Sequence, residues 1–266
     1  MRELLKTDLR RILKDKLFLV VCILGVVFAV STPLLNQLII VGLDISEEMS
    51  VSFATAKSMF FSSFSLSGNF GLILPILLSI VLCKDFNQGT VRNKIISGKS
   101  RKDVFFSMFF SGTIVICGVM LAHALLTLVI SLCFFPYQPE AFTMDSFWYL
   151  LISLLFSILL YVFISALISF LCVLMKNVGL AIVIYIAINF FFSIVGTIIS
   201  LAAVFSETES TALEIAQKAN LFTASHIGTG VTYTLLEVLC TLLPVFIGGA
   251  LCLFFGNLIF KKKDLK

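Results

Sequence analysis

Charge is what this 266-residue sequence has least of. Asp, Glu, Lys and Arg make up 13 % of it, about half the ~25 % of an ordinary soluble domain. With 59 % of residues hydrophobic and a mean hydropathy of +1.10, too little polar surface remains to cover a folded globule in water. A cytosolic globular enzyme and a disordered chain are both excluded. Strand-like alternation is also missing: the apolar runs are continuous, which argues against a membrane β-barrel. None of the seven cysteines forms C-x-x-C. All lie within or at the ends of apolar runs, where Cys serves as a small apolar helix residue. A disulfide framework or a zinc site has no support, and no metal ligand set is expected.

What is present is a set of runs long enough to cross a bilayer, which takes about 20 apolar residues. Six qualify, at roughly 17–43, 66–83, 104–135, 146–174, 178–205 and 235–260. The first is far longer than the apolar region of a signal peptide, and no small-residue cleavage site follows, so it reads as a retained span. The expected fold is an all-α integral membrane protein of six spans forming one domain over 1–266. Segment 1–16 forms a surface helix, 84–103 an inner connection and 206–233 an outer one.

The few charges are sorted by side. Arg2, Lys6, Arg10, Arg11, Lys14 and Lys16 precede the first run. Lys84, Arg92, Lys94, Lys99, Arg101 and Lys102 lie after the second. Lys176 follows the fourth, and Lys261, Lys262, Lys263 and Lys266 follow the sixth. Thus 17 of the 19 basic residues fall on one side; only Lys57 and Lys218 fall on the other, with most of the acids. The positive-inside rule places both termini in the cytoplasm of a multi-pass protein of the cell membrane. Net charge +4 follows from topology, and no compact basic domain exists to bind nucleic acid.

Between the spans, four segments carry signals. In 1–16, Leu5, Leu9, Ile12 and Leu13 share a face while Lys6, Arg10 and Lys14 recur every four residues, which predicts an amphipathic helix on the inner leaflet. The alternative is a plain positive flank. In 44–65, Met49, Phe53, Phe60 and Phe64 predict a helical face. In 206–233, Ser206 and Glu209 have capping-box spacing, followed by TESTALEIAQKAN at helical spacing; both outer connections read as short helices across the outer mouth or, equally, as spacer loops. Met175-Lys176-Asn177 is short enough to force spans four and five into a hairpin. Gly25/Ala29, Gly118/Ala122 and Gly248/Cys252/Gly256 form small-residue stripes that serve close helix packing or a dimer seam.

The richest segment is KDFNQGTVRNKIISGKSRKD, 84–103. Thr90 is placed to N-cap a short helix reaching about Ser97, with Val91 and Ile95 on one face. Gly98 stands where a left-handed C-cap belongs, and Ser100 pairs with Asp103 at the start of span three. Such a helix suits a groove on a partner protein; the alternative is a basic loop with incidental caps.

Asp85, Gly89-Thr90, Arg92, Gly98, Ser100 and Arg101, the amphipathic entry and the ending FKKKDL resemble, in order and spacing, the permease subunits of ABC-2-type transporters. The family often has Glu where Asp85 stands. The resemblance covers the whole chain. It implies a half-transporter that pairs with a second permease subunit, identical or homologous, and docks two ABC ATPase subunits. It implies that 84–103 is the coupling segment, with Asp85, Gly89, Thr90, Val91, Arg92, Ile95, Gly98 and Arg101 as its working residues. Val91 and Ile95 are then apolar anchors, and Asp85 and Arg92 polar positioners. ATP and Mg would be bound by the partner subunit, so no cofactor and no enzymatic activity are expected of this chain. Subunits of this size resemble exporters of amphipathic peptides, including phenol-soluble-modulin exporters and lantibiotic-immunity permeases.

Gly98-Lys99-Ser100 repeats the end of a Walker A motif, but the Gly required five positions earlier is Asn93, so the match is a decoy. The spans hold no Asp, Glu, Lys or Arg at depth except Glu237 near the outer end of span six. That absence argues against a proton-coupled carrier. His123 and Glu237 remain candidates for a path or gate, against a helix–helix hydrogen bond for the first and a solvated interface residue for the second. Two functions of different class survive: the membrane half of an ATP-driven exporter, and a non-transporting scaffold or sensor.

Overall fold

A computed structural model describes residues 1–44, 55–66, 69–137, 143–205, 211–220, 222 and 233–262. Ten helices are seen among them. In chain order they are α1 (Arg2–Lys14), α2 (Lys16–Gly42), α3 (Ala56–Ser62), α4 (Asn69–Asn87) and α5 (Thr90–Ile96), followed by α6 (Arg101–Ser131), α7 (Met144–Met175), α8 (Val178–Phe205), α9 (Thr211–Ala219) and α10 (Leu235–Lys262). Six of them, α2, α4, α6, α7, α8 and α10, are long and apolar enough to cross a membrane. The fold is that of an all-α, multi-pass membrane protein, and each span overlaps its predicted run.

The spans differ in what surrounds them. The most apolar window of α7 is 61 % buried and that of α4 is 56 %, against 17 % for α8 and α10. So α4 and α7 form the interior, and the others turn an apolar face outward. The interior is built at four-residue spacing, which stacks side chains along one helix face. Phe70, Leu74, Leu78 and Leu82 do this on α4; Phe156, Leu160, Ile164, Ile168 and Cys172 do it on α7. Helix α7 packs against α4, α6, α8 and α10. Two of the stripes serve this packing: Gly25 lies against Phe70, and Gly256 lies against Phe105.

The expected hairpin after α7 is present. Lys176 adopts a left-handed C-cap (φ 54°), and Asn177 accepts the Gly179 amide at 2.8 Å to start α8. On the opposite side of the protein, Thr55 and Ser58 form a capping box for α3, with Phe60 and Phe64 buried as expected. Met49, Phe53, Ser206 and Glu209 lie outside the described residues. The helix predicted from TALEIAQKAN is α9.

Helix α1 departs from its predicted face. Its buried residues are Leu4, Asp8 and Ile12, while Leu13 is exposed and Leu5 and Leu9 are half-buried. The helix packs on α6 of its own chain, so its inward stripe includes an acidic residue.

Candidate functional site

The segment between α4 and α6 is shaped by its glycines and caps. Gly89 is left-handed (φ 68°) and turns the chain at the end of α4. It, and not Thr90, is the N-cap of α5; Thr90 is the first helical residue. Gly98 is left-handed (φ 85°), as expected. Its amide bonds the Ile95 carbonyl at 3.0 Å, and the Lys99 amide bonds that of Lys94 at 3.2 Å. This is the Schellman arrangement that closes a helix C-terminus. Ser100 then accepts the Asp103 amide at 3.1 Å and opens α6. Gly98 and Ser100 of the Walker-like tripeptide are thus both used on helix ends, and helix α5 precedes it.

Helix α5 is held from beneath by charge. Lys94 donates to Asp8 of α1 at 2.5 Å, and Asp8 also accepts from Ser107 of α6 at 2.7 Å. Asp85, at the end of α4, accepts from Arg11 of α1 and lies 3.7 Å from Lys94. The side chains of Asp8 and Asp85 are 3 % and 6 % exposed, and that of Lys94 is 13 % exposed. Two acids and two bases therefore form a neutral, largely buried quartet across α1, α4 and α5, with α6 supplying a hydroxyl. Buried charge is tolerated only when paired and hydrogen-bonded in this way. Beside the quartet, Lys84 donates to Asp15 at 2.6 Å. That bond, with the Leu17 amide, holds the Asp15 carboxyl below its ordinary value.

Arg101 extends the assembly to the other end of the chain. Its guanidinium donates to the carbonyls of Phe260 (3.3 Å) and Lys261 (3.0 Å), the last turn of α10. A cation there satisfies carbonyls that have no partner within the helix. Phe260 is buried against Phe86 and Phe105. The basic side thus joins α1, the end of α4, α5, the start of α6 and the end of α10.

This geometry rearranges the roles expected within α5. Val91 is 3 % exposed and packs into the main core, with Ile95 half-buried beside it. As placed, they anchor α5 to its own protein and are not offered to a partner. Asp85 is likewise interior, paired with Arg11. The outward face carries Arg92, Asn93, Ile96 and Ser97, all exposed, with Ile96 at 72 %. Sequence reasoning missed Asp8, Arg11, Lys94 and Ser107. The signal for Asp8 was available: it stands midway between Leu4 and Ile12 at four-residue spacing, on the stripe that faces inward.

The two remaining candidates are placed apart from this cluster. His123 is buried in α6, and its Nδ1 donates to the Gly25 carbonyl of α2 at 2.9 Å. Since a carbonyl only accepts, that nitrogen carries the proton. His123 thus makes a helix–helix hydrogen bond. Glu237 accepts the Thr234 amide at 2.8 Å while Thr234 accepts the Glu237 amide at 3.3 Å, a capping box that opens α10. Glu237 also pairs with Lys218 of α9 at 3.1 Å. It ties two helices together. No group of three or more metal-ligating side chains is found among the described residues. No protein-family model matches the chain, and no curated protein matches it either.

Proposed function

We propose that the chain is the permease subunit of an ABC-2-type exporter. In this reading it pairs with a second permease, identical or homologous. It moves an amphipathic or hydrophobic substrate, in the first instance a peptide, out across the cell membrane. Two separate ATPase subunits dock on the basic side, which faces the cytoplasm together with both termini. The distribution of 17 of 19 basic residues supports that orientation. The observation that carries the proposal is α5: a seven-residue helix with both ends fixed, braced by a buried ionic quartet and joined through α6 to the last turn of α10. A mobile loop would dissipate a push at its tip, whereas this arrangement passes it to α1, α4, α6 and α10 together. In this revised form Ile96, Arg92 and Asn93 face the ATPase, and Val91, Ile95, Asp85 and Lys94 transmit.

The test is purification of the tagged full chain from native membranes in mild detergent. The expected result is co-elution of a chain bearing a Walker A motif, with ATP hydrolysis that Ile96→Asp separates from the permease. Elution of the permease at full yield with no ATPase would place the chain in the scaffold or sensor class instead.

A further inference from the structure

On one flank of α1 lies a groove of about 380 Å³ with almost wholly apolar walls. It opens beneath Leu9 and Leu13 and runs between α2 and α6, ending beside His123. Its wall on α2 extends from Phe18 to Val26 and its wall on α6 from Ile114 to Leu126. At 1.5 Å per residue these walls are about 12 and 18 Å long. Half of a ~30 Å hydrocarbon core is about 15 Å, so the groove has the depth of one leaflet. It is wide because Gly118 forms part of its wall; a Cβ there would meet nothing within 4 Å. Its lip is basic. Lys6 and Arg10 are exposed, one helical turn apart, and each is three residues from a groove-lining leucine, so they neighbour it on the surface of α1. Neither forms an ion pair among the described residues, although four of the basic side's other cations do.

We propose that this groove holds one acyl chain of an anionic phospholipid from the leaflet on the basic side, with the phosphate between Lys6 and Arg10. Depth selects a single-leaflet chain, the apolar wall selects hydrocarbon, and the two cations select a negative headgroup. The site does not depend on the exporter reading, since it uses no residue of the α5 cluster.

The experiment is native mass spectrometry of the purified full chain released from nanodiscs of equal phosphatidylglycerol and phosphatidylcholine. Wild type should retain one phosphatidylglycerol. Lys6→Gln with Arg10→Gln, both on the surface, should lower its preference over phosphatidylcholine by about tenfold or more. Gly118→Leu, whose Cβ has open space around it and whose side chain enters the groove, should abolish retention of either lipid. Unchanged phosphatidylglycerol retention in both variants would overturn the proposal. So would a wild-type dimer that Gly118→Leu dissociates with lipid retention unchanged, because the groove would then receive a second copy.

Discussion

The two ends of this membrane protein use their few charges differently. On the basic side, ion pairs join residues 69 to 86 positions apart: Lys84 with Asp15, Arg11 with Asp85, and Lys94 with Asp8. On the opposite side, Lys57 lies over the Tyr149 ring at 4.8 Å, and Lys218 pairs with Glu237 on the next helix. The first pattern welds the start of the chain to its middle. The second ties helix ends together, Lys57 of α3 to α7 across 92 positions and Lys218 of α9 to the neighbouring α10. Under the proposed function, the first pattern marks where force would pass.

Four changes would break or sharpen this contrast. The largest effect is expected at Asp8. Asp8→Ala leaves Lys94 buried without its closest partner, and breaking one side of a buried pair costs about 3–5 kcal/mol. Thermal unfolding in detergent should show a drop of that size. Asp8→Leu combined with Lys94→Met, which removes both charges, should recover most of it. Next is Gly98→Val. The left-handed backbone there costs a β-branched residue about 1–2 kcal/mol, and proteolysis between α5 and α6 should rise accordingly.

On the opposite side, Glu237→Gln should cost about 1 kcal/mol through its pairing with Lys218, since Gln keeps the capping-box acceptor. It should leave ATPase docking on the basic side unchanged. A loss of docking would mean that the two ends are not separable. The smallest effect concerns acid. The Asp15 carboxyl is held below its ordinary value by the Lys84 hydrogen bond first and the Leu17 amide second. A depressed carboxylate contributes stability above its unfolded value of about 3.9, and that contribution is lost as pH falls through the lower folded value. Lys84→Met should therefore lower the neutral plateau slightly and flatten the decline below about pH 4, so that variant and wild type converge in acid.

Much of the fold was legible because lipid enforces a simple rule. A span must be continuous and apolar, so all six runs read correctly. Caps were legible where a side chain supplies them, as with Ser100. Backbone conformation misled at Gly89, where a left-handed glycine outcompetes the neighbouring Thr90 for the cap. The candidate site was legible as a segment but not as a surface. Val91 and Ile95 do form one face, yet periodicity says only that a face is apolar, not whether it meets a partner or the protein's own core. Asp8 was harder still. An acid among basic residues reads as solvated until α6 is seen to place Ser107 against it and α5 to bring Lys94.

The central claim is that the outward face of α5 meets a separate ATPase. Photocrosslinking tests it most directly. A photoreactive phenylalanine analogue placed at Ile96, 72 % exposed, is compared with the same group at Met144, 69 % exposed on the opposite side. The account predicts that the probe at Ile96 captures a chain carrying a Walker A motif in native membranes, and that the probe at Met144 does not. Capture of that chain from Met144, or of lipid alone from Ile96, would contradict it.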